Sequence, residues 1–325
     1  MSTNSALGLS RQGFKIGSSV FGNYGAQVGS VRQLVHDGDT LNVRLPGNIG
    51  MRFLGIDSPE VSFPLPGSPS FVALKNPKWA NFFASGKWRK GTQLPQHLLE
   101  HLERRLQDRA EVAHNHAYHA ERAEKSLEAA MLADLEKSRR PPEEYRLFMA
   151  FAFEFLDSSG RLLAYLHPDA ANFDDLAEGR QLAERSYNER QLEAGTALPY
   201  FIWPNIQPFL RANPFARENL HPEQFWRNIQ SSNKLKKARK SVQAARKAHK
   251  GVFDATNPLL LEPFELRFIS RRRLPARLVI DLSKPGSRSL LPAEYYYLVS
   301  HAEDRLFVPA DFIALFESAG WTVER

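Results

Sequence analysis

Apolar and polar residues alternate in three runs near the start of the chain: "QVGSVRQLV" (27–35), "TLNVRL" (40–45) and "MRFLGI" (51–56). A period of two predicts strands, and Pro46-Gly47-Asn48 predicts the turn between the second and third. The three form an antiparallel meander. Residues 1–25, rich in Gly and Ser, predict a loose N-terminal arm. Residues 61–93 carry many Pro, Gly and Ser and predict a long loop with short local structure, with Trp79, Phe82, Phe83 and Trp88 anchoring it to the core. From Pro95 to Ser138 the pattern turns helical, as one long helix or two broken near His114, and Pro141-Pro142 end it.

A second hairpin follows. "YRLFMAFAFEFLD" (145–157) and "RLLAYLH" (161–167) predict strands around a tight turn at Ser158-Ser159-Gly160. Helices are predicted over 174–197, ending at Gly195, and over about 222–249. In 253–325, "FELRFISRR", "ARLVIDLS" and "YYYLVS" predict strands and "PADFIALFESAG" a helix, which makes a small C-terminal α+β unit. Three strands, a helix, two strands and then helices fit a five-stranded OB-type barrel with three helices. The fold class is therefore α+β with a mainly β core. The barrel domain spans 26–252 and carries a helical insertion at about 62–117.

Composition narrows the chemistry. The 325 residues include no cysteine, which removes disulfides, thiolate metal sites and cysteine nucleophiles. The net charge of +7 favours an anionic partner. No basic-then-apolar leader and no apolar run of about 18 residues is visible, so a cytoplasmic location without membrane contact is expected.

Candidate chemistry gathers at the ends of the meander. Asp39 begins one strand and Asp57 ends the next, and in an antiparallel pair these ends are neighbours. Two such carboxylates, a backbone carbonyl and water make a hard-oxygen site for Ca²⁺, with another divalent metal left open. Glu60 follows across Ser58-Pro59 and is aimed to orient or deprotonate water. Arg52 and Arg161 are candidates to grip a phosphate and neutralise its growing charge. Strict alternation sets Arg52 opposite Asp57, unless a bulge at Gly55 restores the parity.

The motifs "DGDT" (37–40), "RFLGIDSPE" (52–60), "DSSGRLLAY" (157–165) and "NERQLEAGTALPYFIWPN" (188–205) resemble the staphylococcal nuclease (thermonuclease) family, over about 26–66 and 118–252. The resemblance implies an OB barrel that hydrolyses DNA and RNA with Ca²⁺, leaving 3′-phosphates. It implies that Asp39, Asp57 and the Ser58 backbone carbonyl hold the metal, with Asp37 behind them holding metal-bound water. Glu60 would orient the attacking water, Arg52 and Arg161 would bind phosphate, and Tyr200 would edge the substrate. The sequence departs from the family at Ser159, where the staphylococcal enzyme has a stacking tyrosine, and at Ser58, where it has threonine. The interval from Glu60 to Arg161 is also more than twice the family's length.

The stretch "KLKKARKSVQAARKAHK" (234–250) has eight basic residues and no acid. Lys236, Lys237, Arg239 and Lys240 are its candidate phosphate contacts. His97, His101, His114, His116 and His119 crowd the insertion; a solvent-facing helix surface is the simpler reading beside metal binding. DNA or RNA is the expected partner, and the insertion or C-terminal extension could add a protein partner. The competing reading is a nucleic-acid-binding module on the same barrel that does not catalyse.

Overall fold

The computed structural model describes residues 7–9, 15–44, 48–106, 109–157, 159–208 and 213–324. Most of the predicted turn at 46–48, and Ser158 of the later turn, lie outside this set.

Five strands close a ring: Lys15–Phe21, Thr40–Arg44, Asn48–Phe53, Leu162–Pro168 and Arg146–Ala150, which returns to Lys15–Phe21. Neighbours run antiparallel except Asn48–Phe53 with Leu162–Pro168, where Leu162 pairs with Met51 and Leu163 with Arg52. Leu7–Leu9 and Val35–Asp37 extend the sheet to seven strands. Phe21, Leu41, Val43, Met51, Leu147 and Leu166 point inward from the ring, each essentially without exposure.

The ring corrects two expectations. Residues 15–21, predicted as part of a loose arm, are a central strand, because pairing on both sides satisfies a backbone that its Gly and Ser would otherwise leave free. The run 27–35 is not one strand. Ser30 and Gln33 form a reciprocal capping box that starts a helical turn at Val31–Leu34. The strand before Asp37 shrinks to Val35–Asp37.

The insertion is helical, as expected, with short elements ahead of its long helices. It contains a hairpin of Ser62–Pro64 with Phe71–Ala73, then helices Pro77–Ala84, Gln96–Arg105 and Glu111–Ser138. The break between the last two falls before His114. Trp79, Phe82, Phe83 and Trp88 are buried, as anchors should be. Their core also holds Phe264, Phe268, Tyr296 and Phe307 from beyond residue 253.

Nor does 253–325 stand apart. Its strands Arg277–Asp281 and Arg305–Pro309 continue through Leu198–Ile202 to Gly55–Asp57, the strand that carries Asp57, in a six-stranded sheet. "FELRFISRR" is a helix, Pro263–Arg271, rather than a strand. Pro263 opens it, and Glu262 and Glu265 cap it reciprocally. Phe264, Leu266 and Phe268 alternate with Glu265 and Arg267, a period of two that reads as a strand, although these residues lie on a short and largely buried helix. "YYYLVS" is likewise mostly helical, in the 3₁₀ turn Ala293–Leu298. Among the described residues no helix is long and apolar enough to cross a membrane.

Gly55 ends the straight course of the strand before it, with φ at +76°. That conformation suits glycine, and an added Cβ would meet the Tyr165 hydroxyl at 3.2 Å. Gly55→Ala is therefore expected to cost about 1–2 kcal/mol, read as a lower urea midpoint with an unchanged m-value.

Candidate active site

The break at Gly55 answers the parity question. Beyond it, Asp57 turns to the same side as Arg52, and Arg52 Nη2 donates to Asp57 Oδ1 at 2.9 Å. Arg52 also stands 3.8 Å from Asp39 Oδ2. Asn188, from the helix Tyr187–Ala194, holds the break: its side-chain amide donates to Leu54 O at 2.8 Å and Ala164 O at 3.1 Å. Gln191 on the same helix donates to Gly38 O and Ala123 O, both at 2.9 Å. It thereby pins the acidic turn to the long helix Glu111–Ser138.

Asp39 is buried, and its Oδ2 accepts the Ser58 N–H at 3.1 Å while Oδ1 accepts the Thr40 hydroxyl at 3.0 Å. Ser58 thus meets Asp39 through its N–H. Burial pushes the Asp39 pKa up, but Arg52 and hydrogen bonds from Asp37 and Ser58 bring it below the usual value. Asp37 goes the other way. Burial, then the charges of Asp39 and Glu60, raise it well above the carboxylate range, which favours its protonated form. Glu60 is also raised, by burial first, against the opposing pull of Arg267 and Arg52.

Arg267 is the residue that sequence reasoning missed. From the helix Pro263–Arg271 it donates to Asp57 Oδ1 at 2.8 Å, Asp57 Oδ2 at 2.6 Å and Glu60 Oε1 at 2.9 Å. Its guanidinium also lies 5.8 Å from the centre of the Tyr200 ring. The carboxylates around it hold its proton more tightly than usual. The oxygen donors are of the kind Ca²⁺ takes, but their arrangement does not fit the ion. Both Asp57 oxygens and one Glu60 oxygen are engaged by a guanidinium that stands where the resemblance implies a divalent cation.

His116 was missed as well. It is buried rather than solvent-facing, and its Nε2 accepts the Glu60 N–H at 2.9 Å while Nδ1 donates to Leu261 O at 3.1 Å. His119 is buried too, hydrogen-bonded to Asn257 O, and the rings of His97 and His101 stack on Tyr295 and Tyr297. Burial lowers the pKa of His116 to about 3, so it stays neutral in the fold. An unfolded histidine takes a proton near pH 6.5. Stability from neutral His116 is therefore full above about pH 6.5 and is lost as pH falls from there toward 3. Urea melts at pH 7.5, 6 and 5 are expected to show that loss, and His116→Asn to flatten it.

Other predicted residues sit differently. Arg161 shares a sheet face with Arg52 and packs over Gly50, but its Nε and Nη2 both go to Asp157 Oδ2, at 2.8 and 2.7 Å. It does not contact the three site carboxylates. Tyr200 is buried, stacked on Phe264 with its hydroxyl on Arg277, rather than at a surface edge. Arg239 turns inward to Glu303 O and Asp304. Lys236 and Lys240 are exposed and Lys237 is half-buried. Among the described residues, none of these four is bonded to the site's acids.

No family model matches this sequence, and no curated protein is significantly similar to it.

Proposed function

We propose that this chain is a nuclease that hydrolyses phosphodiester bonds of DNA or RNA by an activated water. The supporting fold reading is that the ring is an OB barrel, since its strand order and single parallel pair have the pattern of that fold. The observation that carries the proposal is the convergence of Arg52, Asp57 and Glu60 beside buried Asp39. Two guanidiniums lie among these acids, each able to transfer hydrogen bonds to a phosphate in a fork. A Glu60 carboxylate with a raised pKa is a better base than an ordinary one and suits taking a proton from water. Arg161 joins only when its pair with Asp157 opens.

One observation favours the second reading, a nucleic-acid-binding module that does not catalyse. Arg267 already neutralises Asp57 and Glu60. A cleavage assay separates the two readings, using labelled DNA and RNA with Ca²⁺, Mg²⁺ or chelator. Nuclease action gives cleavage that Arg52→Ala weakens. Salt-sensitive binding with no cleavage under any of the three conditions selects the binding module.

A further inference from the structure

The helix that inserts Arg267 ends in three more arginines. Arg271 lies one turn beyond Arg267 and is exposed, its guanidinium 5.8 Å from the centre of the Phe63 ring. Arg272 closes the helix with φ at +56° and reaches across Gly91. It lines an open groove of about 670 Å³ together with Lys78, Asn81, Ser85 and Lys87. Among the described residues no acidic residue lines this groove. Among the described residues, no carboxylate lies within ion-pair distance of Lys78, Lys87, Arg271, Arg272 or Arg273. The Arg272 Nε is buried and has no hydrogen-bond partner. Like charges gathered without counter-charges repel one another, and an anion in the groove would relieve that cost.

An aromatic platform stands beside the charge. Phe71 is 68% exposed and lies edge-on to Phe63, centroid to centroid 6.1 Å, so Phe63 links Phe71 to Arg271. Among the described residues Phe71 is the most exposed large hydrophobic side chain. Basic residues that track a backbone beside a ring that can stack on a base are the elements of single-strand recognition.

We propose that the groove between the insertion and the C-terminal helix binds single-stranded nucleic acid and leads it toward Arg267 and Glu60. Lys78, Lys87 and Arg272 hold successive phosphates, and Phe71 stacks on an unpaired base. The proposal deepens the nuclease reading, on which its account of the strand's destination rests. Single-stranded rather than duplex ligand follows from Phe71, because only an unstacked base offers a free face to the ring.

The test is fluorescence anisotropy of labelled single-stranded and duplex oligonucleotides with the full chain, in chelator, across a salt series. Lys78→Ala/Lys87→Ala is expected to weaken single-strand binding at least tenfold. The salt slope should flatten by about 1.4, from two lost phosphate contacts at about 0.7 each. Phe71→Ala is expected to weaken binding of single strands and leave duplex binding unchanged. Wild-type affinity and slope in both variants, with unchanged circular dichroism, overturn the proposal. So does equal competition by polyglutamate together with no effect of Phe71→Ala, which points to an acidic protein partner instead. Variant-sensitive binding without any cleavage supports the groove while sinking the nuclease reading, so the two fail separately.

Discussion

Replacing Arg267 with alanine is expected to lower stability by about 3–5 kcal/mol. The reason is the charge it leaves behind. Asp57 is 1% exposed, and Arg267 supplies hydrogen bonds to both of its oxygens and to Glu60. Arg52 alone would then face Asp57, Glu60 and Asp39. Removing one partner from a buried ion pair costs more than the pair contributes, because the carboxylate stays out of water with less to replace it. A second effect should accompany the first. Without the guanidinium, Asp57 and Glu60 are free to hold a divalent cation. Millimolar Ca²⁺ should then raise the melting temperature of Arg267→Ala more than that of wild type. A ligand at a hundred times its dissociation constant adds about 2.7 kcal/mol. A variant as stable as wild type, with no response to Ca²⁺, would show that Arg267 does not serve as the internal cation of this site.

Glu60→Gln carries the largest expected effect on activity. It keeps the shape and removes the base, so cleavage should fall by about 10²–10⁴-fold. The backbone anchor from Glu60 N–H to His116 Nε2 does not involve the altered group, so the fold should persist. The side chain also keeps an oxygen that can accept from Arg267. Initial rates on labelled DNA and RNA, beside a thermal melt, separate lost chemistry from lost structure. If Glu60→Gln retained more than a tenth of wild-type activity while folded, the base would have to be sought elsewhere.

The residues that were legible in the sequence are those whose partners lie close along the chain or in the paired strand. Thr40 pairs with Arg52, which brings the start of one strand to the end of the next and Asp39 to Asp57. Gly55 could be suspected as the break because only its freedom at positive φ allows one there. Asn188 and Gln191 lie in the run 188–205 that was picked out in the sequence, yet their tasks, holding Leu54 and Gly38, depend on contacts over a hundred residues away. Arg161 was legible as a strand residue on the face of Arg52, but its ion pair with Asp157 depends on a rotamer that no periodicity encodes.

The sequence by itself determined the acidic turn and the two paired strands that bring Asp39 beside Arg52. These follow from local alternation and turn chemistry, which act over a few residues. Only the tertiary structure decided what surrounds the acids. A strand from the supposed arm closes the ring, because edge hydrogen bonds must find partners wherever they lie. A helix read as a strand carries Arg267, 210 residues from Asp57 in the chain, into contact with it. Buried carboxylates require a nearby cation, and which one answers is settled by packing between distant segments rather than by any short pattern.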